Sequence, residues 1–269
     1  MIDKILTEQI DIPENECAIL LSGGVDSISV GFGAHRLGKK ITSYSFCLDT
    51  YLSYDYLKAK EVSKIMGWDF VGIKIPTKNL EQDWFRLVKF GCVKKTHYEC
   101  LYPFLYVYPE IKEKIVLSGL GADGYYGNSN WGQRKPWKLK ESKENFDAYR
   151  DFYFTPQQQG HSKDRELAEE HNKTLITPYR TKQVKDYFYQ FDYFQLNKPK
   201  QKNHIRESFD KEFRLVGKIR NHQPLQGKVS QVTKLFKTLL ENKEINFNRR
   251  SDMKWVCWDW KTRCPPTIC

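Results

Sequence analysis

A chain of 269 residues with 40% hydrophobic and 14% aromatic residues is long enough to bury a sizeable core, as one large domain or two small ones. No apolar run approaches the length of a membrane span and the start, Met1-Ile2-Asp3-Lys4-Ile5, has no secretory apolar segment, so no membrane partner and a soluble cytoplasmic protein are expected. The formal charge of +11 suits an anionic partner such as nucleic acid or polyphosphate as well as it suits a solvated, lysine-rich surface.

The first informative stretch is Cys17-Ala18-Ile19-Leu20-Leu21, an apolar run that reads as a buried strand. It stops in Ser22-Gly23-Gly24-Val25-Asp26-Ser27, and helical spacing then resumes at Ile28, Phe32 and His35. Strand, small-residue loop and helix N-terminus together make an anion cradle. Gly23 and Gly24 let backbone N–H groups approach a phosphate, the helix adds partial positive charge, and Ser22 and Ser27 offer hydroxyls. Asp26 can hold a magnesium ion that neutralises the phosphates. The loop has no lysine, which separates it from kinase-type phosphate loops.

Ile41 to Leu48 reads as a second strand. Ser53 caps an expected helix over Tyr54 to Met66 with Gly67 as its stop, and Phe70 to Ile75 is a third strand ended by Pro76. This alternation is the signature of an α/β fold, a parallel sheet with helices on its faces. Leu80 to Tyr108 reads as helical pieces broken near Gly91, Pro103 and Pro109. Lys114 to Leu117 is then a buried strand, and Ser118-Gly119-Leu120-Gly121-Ala122-Asp123-Gly124 is a second small-residue loop. In open parallel sheets both loops face one crevice beyond the strand ends, so Asp26 and Asp123 can converge on one magnesium.

Asn128 to Phe154 interleaves aromatic and basic residues, among them Trp131, Arg134, Lys135, Trp137, Lys138 and Lys140; it reads as a lid or surface insertion, or as a clamp for a nucleic-acid strand. The expected division is a nucleotide-binding domain over 1–132, an insertion over 133–160 and a helical substrate lobe with tail over 161–269. That lobe would be carried by Asp164–Asn172, Lys182–Phe191, Asn203–Phe213 and Gln231–Asn242. Seven cysteines, an odd number, fit a reducing compartment, and the spacing of Cys257, Cys264 and Cys269 matches no zinc pattern.

The first loop resembles the pyrophosphate loop of the N-type ATP pyrophosphatases, which cleave ATP to AMP and pyrophosphate while adenylating a substrate. The two loops in this order resemble the synthetase domain of asparagine synthetase and its relatives, including the β-lactam synthetases. The resemblance covers Cys17 to about Asp123 well and Leu167 to Gln226 thinly. It implies ATP and Mg as cofactors, with Leu20, Leu48, Ser118 and Gly119 lining the adenosine pocket. Ser22, Gly23, Gly24, Asp26 and Ser27 would hold the pyrophosphate, and Asp26 and Asp123 the metal. Lys202-Asn203-His204-Ile205-Arg206 is similar to a family helix start, Lys-x-x-Leu-Arg, that presents cations to the phosphates, so Asp26, Lys202 and Arg206 form the implied catalytic set.

The departures lie on the acceptor side. Leu120 stands where the family has a glutamate of its Ser-Gly-Glu-Gly-Ala-Asp-Glu loop, and Gly124 replaces the last residue. A leucine can neither pair with an ammonium nor act as a base. Arg180 and Thr181 replace the end of a family Pro-Phe-Leu-Asp stretch. Arg220-Asn221-His222 stands for a late Arg-x-Lys, with Lys218 or Lys228 able to substitute. No cysteine follows Met1 as in a glutaminase domain, so a separate ammonia-supplying partner is expected. The implied activity is an AMP-forming ligase acting on a small-molecule carboxylate with ammonia or an amine. Alternatives are an ATP pyrophosphatase-type enzyme modifying a nucleobase or nucleic acid, and a catalytically retired nucleotide-binding module.

Overall fold

The apolar runs form five parallel strands, β1 (Glu16–Leu20), β2 (Lys40–Leu48), β3 (Asp69–Ile75), β4 (Ile115–Ser118) and β5 (Thr174–Ile176), ordered β3-β2-β1-β4-β5. This computed structural model describes residues 1–92, 95–129, 132, 136–155, 161–221 and 230–243. The strand order reverses between β1 and β4, which opens a crevice beyond their carboxyl ends.

Side chains alternate across the sheet and feed two cores. Cys17 and Ile19 face α1 (Ile2–Glu8), α2 (Val25–Arg36) and α3 (Tyr54–Met66), where Phe32 lies 5.1 Å from the Phe213 ring and 5.8 Å from Phe209. Ala18 and Tyr44 face the opposite core, built by α4 (Leu80–Lys89), α5 (Lys95–Leu101), α6 (Phe104–Val107) and the later helices His161–Glu170 and Val232–Glu241. Burying a side chain such as Phe32 contributes about 1.5–3 kcal/mol, so each face has a substantial driving force of its own.

α3 follows the expected local chemistry. The Ser53 hydroxyl accepts from the Tyr56 amide at 3.1 Å, and Gly67 ends the helix at φ +70°. Two elements differ from expectation. Thr174–Ile176, between the expected helices Asp164–Asn172 and Lys182–Phe191, is an edge strand beside β4 that the sequence reading did not assign; with only Leu175 buried it is too short to show a period. The expected helix Asn203–Phe213 divides at Phe209, whose φ of −116° interrupts it, into Asn203–Ser208 and Asp210–Val216. The other expected lobe helices stand at His161–Glu170, Lys182–Phe188 and Val232–Glu241, each within a few residues of its expected span.

Among the described residues, Cys17, Cys47 and Cys92 are buried, and no helix is long and apolar enough to cross a membrane. Trp137 is exposed with the Lys138 ammonium 5.4 Å from its ring centre. Trp131, Arg134, Lys135, His222, Lys228, Cys257, Cys264 and Cys269 lie outside the described residues.

Candidate nucleotide and metal site

The first loop is closed by its own serines. The Ser22 amide donates to Ser27 Oγ at 3.1 Å, the two hydroxyls lie 3.0 Å apart, and Ser27 Oγ donates to the Gly24 carbonyl at 3.2 Å. Gly23 sits at φ +67°, and a Cβ there would lie 2.7 Å from the Asp55 carbonyl oxygen of α3. Gly24 precedes α2 and has no side chain to cap it, so the first-turn amides are left for an anion.

The second loop touches the first. Leu20 and Ser118 are register partners on β1 and β4, and a Cβ at Gly119 would lie 2.6 Å from both the Asp26 carbonyl carbon and the Ser27 amide. Only glycine permits that approach. After Gly121, at φ +99°, the short α7 (Ala122–Tyr126) carries Asp123 toward Asp26.

What joins the two carboxylates is Lys202. Its buried ammonium donates to Asp26 Oδ2 and, at 2.6 Å, to Asp123 Oδ1. The residue holds a left-handed backbone at φ +58°, a conformation that costs a non-glycine residue about 1–3 kcal/mol and persists only where the surroundings enforce it. Asn197 does the enforcing. Its Nδ2 donates to the Tyr126 carbonyl at 3.1 Å while its Oδ1 accepts from the Lys202 amide at 3.2 Å, tying the lysine to the end of α7.

Burial pushes the Asp26 carboxyl up to about 6, against the opposing pull of Lys202, and the two carboxylates hold the Lys202 ammonium above its ordinary value. Asp26 Oδ1 is buried without a hydrogen-bond partner. A magnesium ion fits such an oxygen: it binds through one or two carboxylates and takes its other ligands from phosphates and water. Among the described residues no three His, Cys, Asp or Glu side chains cluster as a metal cage.

The asparagine synthase model matches residues 7–256. The chain belongs to that family, the synthetase domain of the N-type ATP pyrophosphatase superfamily. No curated protein is significantly similar to it in sequence. Among solved structures, the predicted subunit of a tRNA methyltransferase from Methanocaldococcus jannaschii is similar at 16% identity, over 73% of this chain and 87% of that one, with a TM-score of 0.36. A likeness at that score has no bearing on substrate.

The other residues implied by the asparagine synthase resemblance are placed unevenly. Leu20, Leu48 and Ser118 project to the same face of the sheet, and Leu48 borders a groove of about 590 Å³ with Tyr51, Leu80 and Leu239. Arg206 does not join Lys202 on one helical face, because Lys202 precedes the helix in its left-handed turn. The Arg206 guanidinium donates instead to the backbone carbonyls of Gln201, at 3.2 Å, and Ile219, at 3.4 Å. Arg220 pairs with Asp55 at 2.5 Å, directly behind Gly23; burial raises that carboxyl to about 6 although Arg220 opposes it. Lys58, buried under the same loop, donates to the Val216 carbonyl at 2.7 Å.

Sequence reasoning missed Asn197, Asp55 and Lys58. One local signal existed for the first: Asp192 and Gln195 form a capping box that marks the start of the helix Tyr193–Asn197.

Proposed function

We propose that this chain is an ATP-dependent, AMP-forming ligase that adenylates a substrate carboxylate and passes the acyl group to ammonia or an amine. The observation that carries the reading is the convergence of Asp26, Asp123 and Lys202 where the strand order reverses, beside a loop whose amides and serines suit a pyrophosphate. A carboxylate oxygen attacks the α-phosphorus, the bond to the bridging oxygen of the β-phosphate breaks, and pyrophosphate departs. Nitrogen then attacks the acyl carbon and releases AMP and a proton. Asp26 and Asp123 would hold magnesium, which supplies charge neutralisation to the phosphates. The first loop and α2 orient the leaving group, and Lys202 supplies a positive charge that can follow the developing negative charge.

The test is release of AMP and pyrophosphate in equal amounts from Mg·ATP, screened over pools of carboxylic acids with ammonia or amines, with Asp26→Ala as the blank. ADP as the product, or turnover unaltered in Asp26→Ala, overturns the reading. The charge of +11 favours a second reading in which the acceptor belongs to a nucleic acid. RNA binding that weakens steeply with salt is its check.

A further inference from the structure

On the acceptor side of the crevice, the turn Pro178–Arg180 follows β5 and is pinned to α2 by a 2.8 Å hydrogen bond between the Tyr179 and Ser29 hydroxyls. This anchoring sets Arg180 against the second loop, where a Cβ on Gly121 would lie 2.8 Å from Arg180 Cγ. Gly124 has the same effect on an aromatic neighbour: a Cβ there would lie 2.2 Å from Cδ1 of Tyr153, whose ring occupies the space. The Tyr153 hydroxyl stands within electrostatic range of Asp26, Asp123 and Arg180, so it bridges the metal side and the acceptor side.

Among the described residues, no hydrogen bond or ion pair engages the Arg180 guanidinium or the Tyr153 hydroxyl, although both are partly buried. Burial lowers the Arg180 pKa, and the exposed Arg165 guanidinium acts in the same direction. The two carboxylates on this side, Asp26 and Asp123, are already held by Lys202. Leu120 adds no acid.

A half-buried guanidinium with no acid paired to it among the described residues is a site of unbalanced positive charge, and the ligand that balances it is an anion. We propose that Arg180, with the Tyr153 hydroxyl beside it, recognises a second anionic group on the acceptor, a carboxylate or a phosphate, in addition to the carboxylate that is adenylated. An acceptor ammonium placed there would face the Arg180 guanidinium, with Asp26 and Asp123 already held by Lys202. The site therefore takes diacids or phospho-acids in preference to α-amino acids. This rests on the ligase reading above and narrows its substrate class.

The experiment uses the full chain and four probes, titrated by calorimetry with and without Mg and a non-hydrolysable ATP analogue. Succinate and butyrate differ by one anionic group, aspartate adds an ammonium to succinate, and 3-phosphoglycerate replaces one carboxylate by a phosphate. Succinate or 3-phosphoglycerate should bind about tenfold or more tightly than butyrate, and that preference should vanish in Arg180→Gln and return in part in Arg180→Lys. Tyr153→Phe should weaken the same binding by a smaller factor. Equal binding of butyrate and succinate, tighter binding of aspartate than succinate, no binding of any probe, or an anion preference that survives Arg180→Gln overturns the proposal. Loss of analogue binding in the unmutated protein would instead sink the ligase reading, while the titrations without nucleotide still decide the role of Arg180. Unchanged thermal unfolding of Arg180→Gln confirms that any lost binding is local.

Discussion

The two sides of the crevice are finished to different degrees. On the nucleotide side each charge has an internal partner: Asp26 and Asp123 share Lys202, Asp55 holds Arg220, and the loop serines bond one another. On the acceptor side, among the described residues, Arg180 and the Tyr153 hydroxyl have none. A region whose charges are paired internally can be tested by stability as well as by binding. A region whose charges are not so paired contributes no stabilising contact to lose, and its role shows itself when its ligand arrives.

The sharpest way to break this contrast is Lys202→Met. It leaves two carboxylates facing each other with no cation, and a buried pair broken on one side costs about 3–5 kcal/mol in urea unfolding. A cost below about 1 kcal/mol would mean that these charges are not held in a dry site. Gly119→Ala is next. Its methyl would meet the backbone at Asp26 and Ser27, so stability should fall by about 1–3 kcal/mol and Mg·ATP affinity with it; unchanged affinity would show that the two loops move independently.

Asp164 serves as a control on the far core. Its carboxyl accepts from the Tyr108 hydroxyl at 2.8 Å, and burial raises it from 3.8 to about 6. The fold thus favours the protonated form, so its contribution is present below pH 4, declines as the pH rises toward 6 and stays lost above it. Asp164→Asn should raise stability at pH 7 by roughly 1–3 kcal/mol, flatten this stretch of the stability profile and leave nucleotide binding alone. Unfolding midpoints measured between pH 4 and 7 decide it. The smallest effect belongs to Arg180→Gln, which should leave stability unchanged or raise it by up to about 1 kcal/mol, because it removes a partly buried charge that has no partner among the described residues. A loss above about 1 kcal/mol would reveal a structural partner for this guanidinium and close the contrast.

What could be read in advance follows the range of the interactions. The first loop was legible because an apolar run ending in Ser-Gly-Gly is a local pattern, and α3 was legible because Ser53 and Gly67 mark its ends within the same short stretch. β5 escaped notice because three residues carry no period. The meeting of Lys202 with Asp26 spans 176 positions, and nothing near Lys202 announces its left-handed turn. Motif spacing put lysine and arginine on one helical face; the Asn197 bond to the Lys202 amide separated them. The exchanges at Leu120 and Gly124 were plain in the sequence, but the Tyr153 ring filling the space at Gly124 required the fold.

Lys202 has one more consequence. An ammonium tethered between two carboxylates is an intramolecular rival to every free cation, present at a high effective concentration whatever the solution contains. A divalent ion offered alone must expel that rival into a place with no other acid for it, and should bind weakly. A triphosphate changes the exchange, since its oxygens give the displaced ammonium a destination. Metal affinity at this site is then a property of the nucleotide as much as of the protein, with the lysine as the gatekeeper between them.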